Sequence, residues 1–176
     1  MRVFLCGMPK SGKSTLAREL GILLIRPVID TDREIEQWVQ QEKGAFYNCR
    51  QICTQFGEAY FREIERGILQ RLALPDNAVI ALGGGFLMSE YARGLVKTLG
   101  RIAYLYADVE CLWQRMALDL SSVLDAKRPY ESFQELFAQR HPIYSGLAHI
   151  TIAADEPPQV IACQLQQYIE KEGHGQ

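Results

Sequence analysis

Two alternating patterns of apolar residues run along this chain. Short, nearly unbroken apolar runs lie at residues 3–6, 27–30, 79–82, 102–106 and 149–152, separated by longer stretches in which apolar positions recur every three or four residues among charged ones. A short continuous apolar run suits a strand covered on both faces. The longer period suits a helix with one buried stripe and predicts helices over 13–23, 33–41, 59–72, 91–99, 109–118, 133–144 and 158–171. Strand and helix thus alternate, the order of β-α-β units wound around a mostly parallel sheet. The last helix opens on Pro157-Pro158, which fits a first helical turn. Residues 119–132 carry neither period and read as a mobile excursion, and 172–176 as a frayed end. No internal repeat and no Gly-, Ser- or Pro-rich linker divides the chain, so residues 1–176 read as one α/β domain.

Composition narrows the function classes. With 48% apolar residues in 176, the chain can bury a substantial core. Nineteen Lys/Arg against 21 Asp/Glu give a net charge of −2, with the cations scattered, which speaks against a nucleic-acid partner. The longest apolar run, residues 102–107, is far shorter than the ~20 residues a membrane helix needs. The first seven residues lack signal-peptide character. Cysteines at 6, 49, 53, 111 and 163 are odd in number and form no CxxC pair, which suits a reduced, cytoplasmic setting better than a disulfide framework.

The sharpest chemical signal follows the first strand. Gly7-Met8-Pro9-Lys10-Ser11-Gly12-Lys13-Ser14 matches G-x-x-x-x-G-K-[ST] at every fixed position, between a predicted strand and a predicted helix. Glycines there let successive backbone N–H groups turn inward onto phosphate oxygens, and the helix adds the positive end of its dipole. Lys13 is expected on the β- and γ-phosphates and the Ser14 hydroxyl on Mg²⁺.

Three further features are less specific. Asp30 and Asp32 close the second strand, where ligands of such sheets bind; if the chain stays extended, both carboxylates face one way. One could support Mg²⁺ through water while the other accepts a proton, although Thr31 or Asp32 could equally cap a helix starting at Arg33. Gly83-Gly84-Gly85 ends the third strand and fits either a tight turn or a backbone pressed against a ligand. Arg62 and Arg140 lie on predicted helices, where surface ion pairs would also account for them. Arg128 lies in the excursion, where a cation could reach a transferring phosphate or simply face water. His141, His149 and His174 have no metal-ligand spacing, and Trp38 and Trp113 read as packing residues.

Taken in order, these parts resemble the shikimate kinases. The resemblance rests on the phosphate loop at 7–14, Asp30-Thr31-Asp32, Phe61-Arg62 with Glu65, Gly83-Gly84-Gly85, Arg128-Pro129, and Arg140 with Pro142 and Tyr144, and runs through nearly the whole chain. It implies a monomeric P-loop NTPase fold of the nucleoside-monophosphate-kinase type: a three-layer sandwich on a five-stranded parallel sheet, with a lid near 119–132 and a substrate-binding helical region near 33–62. It implies transfer of the γ-phosphate of ATP to the 3-hydroxyl of shikimate, with Mg²⁺. By the same resemblance Gly7, Pro9, Lys10, Ser11, Gly12, Lys13, Ser14 and Thr15 would cradle ATP, and Arg115 and Pro158 would flank its adenine. Asp32 would be the base, with Lys13 and Arg128 also catalytic, and Ser14 and Asp30 would serve the metal. Asp32, Arg62, Gly84, Gly85 and Arg140 would hold shikimate. The chain departs from the family at Lys10, at Tyr130 after Arg128-Pro129, in the long 115–128 segment, and at Cys53, where a large apolar residue is expected. A gluconate- or nucleotide-kinase-like enzyme, or a nucleotide-binding module without transfer activity, remains the alternative.

Overall fold

All five apolar runs are strands. A computed structural model of the chain describes residues 1–71, 75–116 and 127–173. In chain order its elements are β1 (Arg2–Cys6), α1 (Lys13–Leu24), β2 (Val28–Asp30), α2 (Thr31–Lys43), α3 (Cys49–Phe56), α4 (Glu58–Arg71), β3 (Val79–Ala81), α5 (Glu90–Leu99), β4 (Gly100–Tyr106), α6 (Val109–Met116), α7 (Pro129–Leu147), β5 (Ile150–Ala153) and α8 (Pro158–Gly173). A single 3₁₀ turn, Phe86–Met88, precedes α5.

The sheet is parallel throughout, in the order β2-β3-β1-β4-β5. Its centre, β1, is buried along its whole length, and Phe4 and Leu5 are fully enclosed. Helices cover the sheet, and α1 and α8 pack against each other, with Leu16, Ala17 and Leu20 of α1 and Ile161, Ala162 and Leu165 of α8 among the buried residues. Because every strand points the same way, the C-terminal ends of β1, β2 and β3 open onto one edge of the sheet.

Three boundaries differ from the sequence reading. Helix α2 begins at Thr31, not Arg33, because the Asp30 side chain accepts from the Asp32 N–H at 3.1 Å and caps the helix. Asp30 therefore ends a strand while Asp32 lies in a helical turn, so the two carboxylates do not share an extended face. Helix α3 was not anticipated, since Ile52 is its only fully buried residue. Its signal is a capping box: Asn48 and Gln51 each accept the other's backbone N–H, both at 2.9 Å. Helix α7 starts at Pro129, so residues 129–132 of the expected excursion are helical, with proline at the first position. Residues 119–126 of that excursion, and His174, lie outside the described residues.

Among the described residues two without a glycine's freedom have positive φ: Lys10, at 63° in the phosphate loop, and Ile25. Ile25, at the end of α1, sits in the left-handed region at φ 53° and is 91% exposed. Its place is held by the turn, in which the Arg26 N–H reaches the Gly21 carbonyl at 2.9 Å. A left-handed L-residue costs roughly 1–2 kcal/mol. Ile25→Gly relieves that cost and gives back about 0.5–1 kcal/mol in chain entropy. We expect a net gain near 0.5–1 kcal/mol, seen as a melting temperature about 1–4 °C higher by thermal denaturation; an unchanged or lower value would contradict it.

Candidate active site

The phosphate loop is shaped by close approaches that side chains would block. At Gly7, with φ 150°, a Cβ would lie 2.6 Å from the Leu105 carbonyl oxygen of β4. Gly12, at φ 95°, leads into α1. Lys13 is buried under this loop, its Nζ donating to the Met8 carbonyl at 2.8 Å and reaching Ser11 Oγ at 3.5 Å. Burial pushes the Lys13 ammonium down to about 8, against the opposing pull of the Asp32 charge. Ser14, Thr15 and Lys10 are exposed at the mouth of the loop, while Ser11 is buried within it.

Asp32 faces this lysine from the β2–α2 junction. Desolvation pushes its carboxyl up to about 6, with the neighbouring Asp30 adding to the rise and Lys13 opposing it. It also abuts the triglycine turn, where a Cβ on Gly83 would fall 2.2 Å from Asp32 Oδ1. The Gly83 N–H donates to the fully buried Thr31 hydroxyl at 2.8 Å. Glycine at 83 is therefore required by the approach of the protein's own Asp32 carboxylate, a reason that neither sequence reading of the triplet contained.

The other two glycines meet the arginines. Arg140, buried on α7, places Nη1 3.2 Å from where a Gly84 Cβ would stand and Nη2 3.7 Å from that of Gly85. Arg62, on α4, places Nη2 3.2 Å from the same Gly85 position. Two guanidinium groups 78 residues apart in sequence thus close on one glycine (140 − 62). Arg62 is oriented by Glu65 at 2.6 Å and Glu58 at 3.2 Å. The Glu65 side chain is only 4% exposed and Glu58 76%, so the first bond is sheltered and the second is an ordinary surface pair. The Tyr144 hydroxyl donates to the Gly84 carbonyl and pins the turn from α7. Sequence reading treated Glu65 as an ordinary ionic neighbour and gave Thr31 no role beyond capping. Burial sets both apart, and spacing does not report it.

The remaining candidates separate into groups. Arg115 Nη2 donates to the Ala154 carbonyl at 2.9 Å, and with Ser11, Gly12 and Pro158 it lines a cavity of about 210 Å³ beside the phosphate loop. Ser14 and Asp30 both line another cavity of about 240 Å³. Pro9 packs against Gly84, linking the phosphate loop to the glycine turn. Arg128 is exposed at the entrance to α7 and joins neither group. His141 pairs with the Tyr104 hydroxyl at 2.9 Å and stacks on Phe137, a packing role. Among the described residues no three His, Cys, Asp or Glu side chains cluster as a metal site, and no helix is long and apolar enough to cross a membrane.

A family model described as shikimate kinase matches residues 9–170. The chain belongs to the shikimate kinase family. It is accordingly an ATP-dependent kinase with the P-loop NTPase fold. A shikimate kinase of Pseudomonas paraeruginosa is 34% identical over 173 residues, covering 97% of each chain. Among solved structures, a shikimate kinase from Acinetobacter baumannii in complex with shikimate superposes with a TM-score of 0.86 at 31% identity, over 97% of this chain and 93% of that one. The shikimate kinase of Aquifex aeolicus gives 0.80 at 29%, covering all of both chains.

The Asp32 carboxyl generates a stability prediction. Its folded pKa of about 6 lies above the ordinary 3.8, so its charge disfavours the folded state above pH 6 and has no effect below pH 4. We expect Asp32→Asn to melt higher than the parent at pH 8, with the advantage disappearing at pH 4, in parallel thermal denaturation series. A lower melting temperature at pH 8 would show the carboxylate to be a net structural support.

Proposed function

We propose that this chain transfers the γ-phosphate of ATP to the 3-hydroxyl of shikimate, giving shikimate 3-phosphate and ADP, through the residues gathered at the top of its sheet. The observation that carries this reading is the convergence of Arg62 and Arg140 on Gly85, in a turn whose first glycine touches Asp32. A compact carboxylate on a polyhydroxylated ring suits two planar guanidinium forks, and its hydroxyl then lies toward the Asp32 carboxylate.

Asp32 accepts the proton of the attacking hydroxyl, and its raised pKa keeps it a competent base at neutral pH. Lys13 neutralises charge on the β- and γ-phosphates, which restore the ammonium that burial disfavours. Gly7, Pro9, Lys10, Ser11, Gly12, Ser14 and Thr15 surround the phosphates, while Arg115 and Pro158 border the adenine cavity. Arg128 is assigned to the γ-phosphate, and residues 33–62 to the acceptor side. Mg²⁺ fits the oxygen chemistry of Ser14 and Asp30, which line one cavity; Ser14 would hold it through the hydroxyl and Asp30 would support it through water, and it would supply charge neutralisation to the phosphates. The enzyme acts as a cytoplasmic, monomeric single domain.

The test is ADP release in a coupled assay with an acceptor panel of shikimate, gluconate and nucleoside monophosphates. Turnover with shikimate alone is expected, falling as pH drops through about 6 with Asp32 protonation. Absence of shikimate-dependent turnover above background would refute the reading. A charge-assisted hydrogen bond contributes about 1.5–3 kcal/mol, so Arg62→Ala or Arg140→Ala should raise the KM for shikimate by about ten- to a hundredfold and leave that for ATP nearly unchanged. Asp32→Asn should lower kcat by about a hundredfold or more while ATP binding persists.

A further inference from the structure

Thr31 stands between the two carboxylates of the β2–α2 junction, and each of the three side chains has a different task. Asp30 caps α2 by accepting from the Asp32 N–H. Asp32 turns its carboxylate onto Gly83. Thr31, 0% exposed, sends its hydroxyl across the end of the sheet to accept the Gly83 N–H at 2.8 Å, a bond spanning 52 residues.

That bond falls where the ladder stops. Asp30 pairs with Ala81 in the last register of β2 and β3, and the Leu82 N–H still donates to Leu5 of β1. Gly83 is the next amide, and the Thr31 hydroxyl takes the place a strand carbonyl would otherwise fill. Beyond it the turn is fixed by Phe86 N–H to Gly83 O at 3.0 Å, Met88 N–H to Gly85 O at 3.0 Å, and the Tyr144 hydroxyl to Gly84 O. Of these ties, Thr31 alone reaches the turn from the element that carries Asp32.

There is little slack in the arrangement. A Cβ on Gly83 would run into the Asp32 carboxylate, and one on Gly84 or Gly85 would crowd Arg140 and Arg62, so the bare backbone of the turn separates the two groups by little more than its own width. Moving the turn changes its distance from the carboxylate and from the guanidinium groups together.

We propose that Thr31 is a positioning residue for acceptor recognition: its hydroxyl sets the separation between the Asp32 carboxylate and the triglycine wall against which Arg62 and Arg140 hold the acceptor. The inference rests on the shikimate kinase reading for the identity of that acceptor. The bond joins the turn to the element that carries Asp32, while the phosphate loop meets the turn one residue on, at Gly84 through Pro9, so its loss should fall mainly on the acceptor. It also predicts that the hydroxyl matters and the methyl does not.

The experiment compares Thr31→Val, which keeps the shape and loses the acceptor, with Thr31→Ser, which keeps the hydroxyl. In steady-state kinetics with shikimate and ATP, Thr31→Val should raise the KM for shikimate at least tenfold and leave the KM for ATP within about twofold. Thr31→Ser should return the shikimate KM to within about threefold of the parent. In the folded proteins, the Gly83 amide should exchange its hydrogen at least tenfold faster in Thr31→Val, with Leu5 and Ile80 amides unchanged. A Thr31→Val enzyme with parental shikimate KM overturns the proposal, as does equal loss of both substrates or failure of Thr31→Ser to rescue. If the parent turned over no shikimate, the functional reading would fail by itself. Unchanged Gly83 exchange would then overturn the positioning bond, and accelerated exchange would uphold it.

Discussion

Ionised groups packed where water is scarce govern the design of this molecule. At the open edge of the sheet Lys13 and Asp32 are each driven toward neutrality by burial, in opposite directions, and each partly offsets the other's loss of hydration. Lys13 arrives from β1 and Asp32 from β2, and the strand order places β3 between them. The turn that follows β3 must therefore pass through a narrow, highly polar gap. Only backbone fits there, and three successive glycines are the result. Parallel pairing supplies the frame, because it brings the ends of three strands distant in sequence to one side.

The acceptor side follows the same logic with different chemistry. Arg62 and Arg140 are like charges within reach of one glycine, tolerable because Glu65 is buried beside Arg62 and bonded to it at 2.6 Å. Glu58 binds the same guanidinium from solvent and contributes little. A carboxylate-bearing ligand therefore meets an arginine already oriented from beneath, with its weaker partner exchangeable. Tyr144 completes the scaffold by tying Gly84 to α7, the helix that also carries Arg140.

How much of this was legible in the sequence depends on how local each feature is. The strands were, because a strand covered on both faces must be apolar throughout, and the phosphate loop was, because its fixed positions are contiguous. The convergence of Arg62 with Arg140 was not visible in spacing: it arises from tertiary packing of α4 and α7, and only family resemblance anticipated it. Helix α3 escaped because Ile52 alone is fully buried, although Asn48 and Gln51 carried a capping signature. The start of α2 was misplaced by two residues because any of three consecutive polar side chains could have served as cap, and it is Asp30 that does. Thr31 read as a possible helix cap, and its bond across the sheet to Gly83 was invisible because burial is not written in local spacing. Arg128 lies outside any helix, as expected, but α7 begins immediately after it at Pro129, four residues earlier than the periodicity suggested.

That last placement has a mechanical corollary. Arg128 stands at the entrance of the helix that carries Arg140 about three turns further in. The helix's internal proline, Pro142, leaves the Ala138 carbonyl without its usual donor, so the turn that bears Arg140 is also the helix's built-in joint. A tilt of the outer end of α7 is taken up at that turn, while Tyr144, on the far side of the proline, keeps its hold on the floor beneath the guanidinium.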